Sequence, residues 1–328
     1  MLDTYQIGDF MAAFAGIKDG KMVSIDSYID TKKYIDGHEG YMKYITSDTG
    51  LRKKNQNLKI LISVGGWNGS KDFSTTLSNS HGRKVFLESI VDFIVKYNFD
   101  GLELDWEYPV EGGSAGNSRN PKDGENLLSF LTDLRKKFDS RKEKKYEIAI
   151  AASANTDIDF SGSFSNSIGH ASNLYGGNVS GDKAISTYLQ EGVFEKKLVL
   201  GVPLYGKVLA IDGKTANKGD CLLGRKTKSL SLTAGYGFPN DVPSLDEINK
   251  YISIHHRNLD MISDSASKAV SIYNRESNIW VSYENKCSIS AKLKYIKSKN
   301  LGGIMFWELT NEQSNSNVDL AGRFFNGK

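Results

Sequence analysis

Short apolar runs alternate with longer amphipathic stretches over most of this chain, the pattern of buried strands carried between helices. Met11-Ala12-Ala13-Phe14-Ala15-Gly16-Ile17 closes on the turn-like Lys18-Asp19-Gly20 and suits a strand. Leu58-Lys59-Ile60-Leu61-Ile62-Ser63-Val64-Gly65-Gly66-Trp67 predicts a second, ending in two glycines that allow a ligand close to the backbone. Residues 81–98 then place Phe86, Ile90, Phe93 and Ile94 on one helical face and lead directly into a third apolar segment at residues 99–109. Leu127, Leu131, Leu134 and Phe138 mark the next helix, and Tyr146-Glu147-Ile148-Ala149-Ile150-Ala151-Ala152 a strand of small residues suited to a bend or a crowded interior.

Strand, helix, strand, helix in that order predicts an α/β fold with a parallel sheet and right-handed crossovers. Later strands are predicted at residues 197–203 and 301–308, the second after a helix carrying Ile289, Leu293 and Ile296. Between them, over residues 205–280, the period breaks into glycine-rich turns, short strand-like pieces and one helix near residues 245–252. That stretch reads as an inserted α+β subdomain. Its His255-His256 pair cannot share a helix face, so solvent-exposed histidines are expected there and no metal site.

Chemistry concentrates in Phe99-Asp100-Gly101-Leu102-Glu103-Leu104-Asp105-Trp106-Glu107-Tyr108-Pro109. In a strand, Glu103, Asp105 and Glu107 would share one face and Leu102, Leu104 and Trp106 the other. Carboxylates this close raise one another's pKa, which a general acid working near neutrality requires. The alternative is the solvated face of an edge strand. The flanks oppose it: Tyr108-Pro109 ends the strand, and Leu, Leu and Trp suit packing beneath helices. The Gly-, Ser- and Asn-rich stretch from Val110 to Gly124 is long enough to wall or cover a site.

Composition narrows the partners. The 328 residues suit one large α/β domain or two smaller ones. Lys+Arg 42 against Asp+Glu 39 gives a net charge of +3 with no basic block, so neither nucleic acid nor an anionic membrane is expected. Cys221 and Cys287 are too few for a disulfide framework or a spaced zinc site, leaving two free thiols or one bridge. The amino-terminal residues show neither a basic nor an apolar signal region, so no signal peptide is expected, and no apolar run reaches membrane-spanning length. Asn68-Gly69-Ser70 and Asn178-Val179-Ser180 match the glycosylation sequon, a match that chance readily produces in an Asn- and Ser-rich chain.

The carboxylate segment resembles the strand-four signature Asp-x-x-Asp-x-Asp-x-Glu of glycoside hydrolase family 18, the chitinases and chitinase-like lectins, with Glu103 where the middle Asp is usual. Ser63 to Gly66 resembles the family's strand-three Ser-x-Gly-Gly motif. Ala13-Phe14-Ala15, Gly169-His170 with Leu174-Tyr175, Gly201-Val202-Pro203-Leu204-Tyr205-Gly206 and Gly302-Gly303-Ile304-Met305-Phe306-Trp307-Glu308 resemble its second strand, a cleft loop, its seventh strand and its eighth. The resemblance implies a TIM-type (β/α)8 barrel with an insertion domain, marked by Pro243-Ser244-Leu245-Asp246-Glu247-Ile248 and Trp280-Val281-Ser282-Tyr283-Glu284. The chain then divides into barrel at residues 1–207, insertion at 208–280, and the closing helix and strand at 281–328.

For chemistry, the resemblance implies Glu107 as acid and later base, Asp105 as partner of the substrate's N-acetyl group, and Glu103 as a supporting carboxylate. The substrate's own acetamido oxygen would attack the anomeric carbon, with retention, so neither an enzyme nucleophile nor a cofactor or metal is called for. Trp67, Tyr108, Asp159, Tyr205 and Trp307 are the implied sugar-binding positions. Chitin or chito-oligosaccharides are the implied partners, with a monomer expected and an extracellular location implied by the family.

Two departures from the family pattern are expected. Its first strand has no room before residue 11. Too few residues also separate Tyr146 from Lys197 for strand five, two helices and strand six, at about 30 residues per βα unit. The family's Met-x-Tyr-Asp of strand six is nearest to Thr156-Asp157-Ile158-Asp159, with Ile158 in the Tyr position, and losing one positioned hydrogen bond typically costs about 10²- to 10³-fold in rate. Three functions follow: a chitinase, an impaired chitinase-like lectin binding chito-oligosaccharides, or a truncated product without a stable cleft.

Overall fold

The computed structural model describes residues 8–154, 167–217, 220–228 and 237–327, which fall into two compact units, Met1–Ala152 and Ser153–Lys328. In the first, strand β1 (Asp9–Lys18) turns back through β2 (Lys21–Ser24), and a polar segment follows with α1 (Ser27–Thr31), the short pair β3 (Tyr34–Ile35) and β4 (His38–Glu39), and α2 (Tyr41–Thr46). Then come β5 (Lys59–Gly65), α3 (Phe73–Leu77), α4 (Ser80–Tyr97), β6 (Gly101–Asp105), α5 (Asp123–Asp139) and β7 (Glu147–Ile150). The main sheet runs β2-β1-β5-β6-β7, with β1, β5, β6 and β7 parallel as the alternating pattern predicts.

Parallel strands covered by helices are apolar along their length, and β5 is the clearest case, with Ile60, Leu61, Ile62 and Val64 all buried. The α4 stripe of Phe86, Ile90, Phe93 and Ile94 packs into the same core as Phe130, Leu134 and Phe138 of α5. Helix α4 starts where Asn79 accepts from the Gly82 N–H (2.9 Å) and stops where Asn98 turns left-handed at φ 57. The chain therefore enters β6 at a fixed point. Among the described residues β7 is the outermost strand of this sheet, and it is only half-buried.

In the second unit, α6 (Gly181–Gln190) leads to β8 (Val199–Pro203). Next come β9 (Lys207–Ile211), β10 (Thr227–Lys228), α7 (Leu245–His255), β11 (Leu259–Asp264), β12 (Ala269–Asn274) and β13 (Ile279–Tyr283). The chain finishes with α8 (Lys286–Ser298), β14 (Gly303–Trp307) and α9 (Ser316–Phe325). Here β8 and β14 pair in parallel, while β10-β9-β13-β12-β11 form a separate antiparallel sheet with α7 beside it. Ile289, Leu293 and Ile296 of α8 join Leu200, Val202 and Leu301 in one core. Both strands predicted late in the sequence are present, each starting two residues inside its predicted range. Among the described residues the parallel strands make no closed ring, and residues 155–166, which hold the nearest match to the strand-six motif, lie outside them, as do residues 1–7.

Candidate active site

Pairing sets the carboxylates. Gly65 of β5 lies opposite Asp105 of β6, and Ser63 opposite Glu103. The end of β5 approaches so closely that a Cβ on Gly65 would stand 2.2 Å from the Asp105 carbonyl oxygen, and one on Gly66 would stand 2.7 Å from the Phe14 ring. Both glycines have positive φ, 113 and 77, and the Gly66 N–H donates to Asp105 O at 2.8 Å. The two glycines, expected to let a ligand close to the backbone, instead admit the main chain of Asp105 and the Phe14 ring. Beneath, Leu102, Leu104 and Trp106 are buried, with Phe73 stacked on the indole at 5.2 Å.

The expected strand is shorter than residues 99–109 suggested. It ends at Asp105, so Glu107 lies beyond the pleat and strand alternation does not orient it. The three carboxylates nonetheless gather. Burial pushes Asp105 up to about 7, with Glu107 and then Glu103 adding to the rise. Burial also raises Glu103, tempered by the Ser63 hydroxyl, and raises Glu107, tempered by Tyr108. A site holding one carboxyl half-protonated at neutrality beside two others can give and take a proton without a metal.

This rise has a consequence for stability. An unfolded Asp titrates near 3.9, so between about pH 4 and 7 the folded chain binds the extra proton, and stability falls as pH rises through that window. Asp105→Asn is therefore expected to melt above the parent at pH 8, with the advantage shrinking towards pH 4. Thermal unfolding at both values checks it; an equal difference at both pH values would contradict it.

Groups invisible to periodicity hold Glu107. Its N–H donates to Ser70 Oγ at 2.8 Å, and its carbonyl accepts from Asn117 Nδ2 at 2.7 Å. Asp123, fully buried at the start of α5, accepts from Ser74 Oγ (2.7 Å), the Asn120 N–H (2.8 Å) and the Val110 N–H (3.1 Å). Arg119 donates to Gly112 O (2.7 Å) and Ser114 O (2.9 Å). The loop after Pro109 is accordingly a pinned wall. None of Ser70, Asn117 and Asp123 stood out in the sequence, and the only signal at Ser70 was the sequon match. Its serine is buried and bonded to main chain, as the second sequon's Ser180 is the N-cap of α6.

The remaining candidates sit at strand ends. Trp67 follows Gly66 and is 45% exposed, which leaves a face for a ring, and Tyr108 is half-buried beside Glu107. In the second unit Trp307 pairs in register with Pro203, and its carbonyl accepts from the Leu204 N–H at 2.6 Å, which brings Tyr205 to the same end of that sheet. All four lie at or past the carboxyl ends of parallel strands, where α/β proteins carry their chemistry. Asp159 and Ile158 lie outside the described residues. Cys221 and Cys287 are exposed free thiols. Among the described residues no group of three or more His, Cys, Asp and Glu side chains could hold a metal ion, and no helix is long and apolar enough to cross a membrane.

Comparison with known proteins follows the same lines. The family model for glycosyl hydrolases family 18 matches residues 1–312. Chitinase A1 of Niallia circulans is 34% identical over 91% of this chain, which spans 47% of that protein's length. Chitinase 1 of Aphanocladium album is 27% identical over 96% of the chain and 78% of its own. Among solved structures, the Ostrinia furnacalis Group IV chitinase in complex with allosamidin superposes with a TM-score of 0.84 at 24% identity, covering 99% of this chain and 92% of that one. The fold class is thus α/β, a TIM-type (β/α)8 barrel with an inserted α+β domain.

Proposed function

Because the chain belongs to glycosyl hydrolases family 18, we propose that it is a chitinase, hydrolysing β-1,4-linked N-acetylglucosamine polymers with retention by substrate-assisted catalysis. The observation that carries this reading is the carboxyl cluster at the end of β6, with Asp105 raised to about 7 by burial, Glu107 and Glu103. In it Glu107 protonates the glycosidic oxygen and afterwards activates water. Asp105 binds the acetamido group and steadies the positive charge that develops as its oxygen attacks the anomeric carbon. Glu103 keeps the Asp105 proton in place. Trp67, Tyr108, Tyr205 and Trp307 offer stacking and hydrogen-bonding surfaces to sugar rings, and Asp159 completes the set by its place in the motif. Chitin and chito-oligosaccharides are the ligands, taken by a monomer outside the cell.

The pairing of β9 with β13 supports treating residues 208–280 as the insertion and 1–207 with 281–328 as barrel. The test of function is release of a fluorophore from a chitobioside by the purified chain, beside Glu107→Gln. Turnover by the parent alone supports hydrolysis. Oligosaccharide binding with no turnover above the mutant would favour the lectin reading, and a non-cooperative melt the truncated product.

A further inference from the structure

We propose that Ser70 and Asn117 are positioning residues that clamp the main chain on both sides of Glu107 and so fix where its carboxyl stands relative to Asp105; this rests on reading Glu107 as the acid. The need for a clamp follows from the end of β6. The last ladder bonds run from Ala151 N to Leu104 O at 2.9 Å and from Gly66 N to Asp105 O at 2.8 Å. Beyond them no strand holds Glu107, although catalysis is sensitive to placement at the scale of 1 Å.

Two side chains from separate segments replace the ladder. Ser70 accepts the Glu107 N–H and donates its own proton to Gly66 O at 2.9 Å, with Asp105 O at 3.2 Å as the alternative acceptor. One fully buried hydroxyl thus ties the main chains of Gly66, Asp105 and Glu107 together. Asn117, 8% exposed, donates to Glu107 O at 2.7 Å. Gly113 packs so closely there, at φ 69, that a Cβ would stand 1.9 Å from the same oxygen. The arms are joined to each other: Ser118, next to Asn117, donates its N–H (3.1 Å) and hydroxyl (2.6 Å) to the carbonyl of Lys71, next to Ser70. The clamp is a closed loop around the Glu107 peptide, and it leaves the carboxyl itself unencumbered by either arm.

The experiment compares Ser70→Ala, Ser70→Thr and Asn117→Asp with the parent in the full chain. Asn117→Asp keeps size and loses the donor. Fluorophore release from a chitobioside is followed across pH, with thermal unfolding alongside. The expected result is a kcat lower by about 10- to 100-fold in Ser70→Ala and Asn117→Asp with KM within about twofold, partly restored in Ser70→Thr. A kcat within twofold of the parent in the folded variants, whatever their melting temperature, overturns the proposal, as does a change in KM alone. Should Ser70→Ala not fold, Asn117→Asp decides.

Glu107→Gln, run beside them, separates the two readings. If it keeps activity, the assignment of Glu107 falls; if it is inactive and the clamp variants are parent-like, only the clamp falls. A readout independent of turnover is the carboxyl 13C titration of Glu107 in Ser70→Ala, which adds no charge: the midpoint moves if the clamp sets its distance from Asp105 and stays put if it does not.

Discussion

Glu107→Gln is expected to lower kcat by about 10²- to 10⁴-fold, the usual contribution of a positioned general acid, while KM stays near the parent's and the melting temperature at neutral pH does not fall, because a carboxylate that burial disfavours has been removed. Glutamine matches the size and hydrogen-bonding reach of glutamic acid but has no proton to give the leaving oxygen and no basicity to take one from water. The main-chain bonds from Ser70 and Asn117 are untouched by the change, so the backbone should hold its place. Removing the charge at 107 also removes the larger of the two carboxylate contributions to Asp105, whose titration should move down from about 7. Fluorophore release and carboxyl NMR read the two effects separately. A mutant within tenfold of the parent would take the acid role away from Glu107, and an unmoved Asp105 would show that the two carboxyls are not neighbours.

Which parts of this site the sequence foreshadows depends on whether the feature is periodic. The apolar alternation at Leu102, Leu104 and Trp106 marks a strand because burial on one face repeats every second residue, and all three are buried. The α4 stripe is legible for the same reason at helical spacing. Alternation was a poor guide at Glu107, because the strand ends at Asp105 and individual polar bonds take over. Such bonds reach from Ser70 and Asn117, far apart in the chain, and a single serine or asparagine leaves no repeat to detect. The glycines are intermediate: Gly65-Gly66 declares close approach, but only the register with Asp105 says to what. Asp123 shows the limit in another way. A lone aspartate at the start of a helix reads as a favourable first-turn charge, whereas here it is a fully buried acceptor for three donors that pins the loop after the acid.

Asp100, at the head of the same signature, is expected to behave in the opposite way from Glu107. It stands at the entry to β6, at the other end of the strand from Asp105, and it is 5% exposed. Its carboxylate takes an ion pair from the buried Arg52, another from Lys144 at 2.7 Å, and the Ile60 N–H at 2.8 Å. Burial alone would raise its pKa, but Lys144, Ile60 and Arg52 together outweigh that and hold it below the ordinary carboxylate range. Asp100→Ala would leave Arg52 buried with only main-chain acceptors, Thr46 O at 2.6 Å and Asn98 O at 3.5 Å, and breaking a buried pair in this way costs about 3–5 kcal/mol. The unfolding midpoint in urea should fall accordingly at pH 7, while kcat per folded molecule stays close to the parent's. Since the folded pKa lies below the unfolded value near 3.9, the stabilisation is present above that value and is lost as pH falls through the folded pKa. The variant and parent should therefore converge in stability as pH falls below the lowered folded pKa of Asp100, where both lack the charge. A variant that unfolds like the parent at pH 7 but has lost kcat would instead move Asp100 from the architecture of the strand into its chemistry.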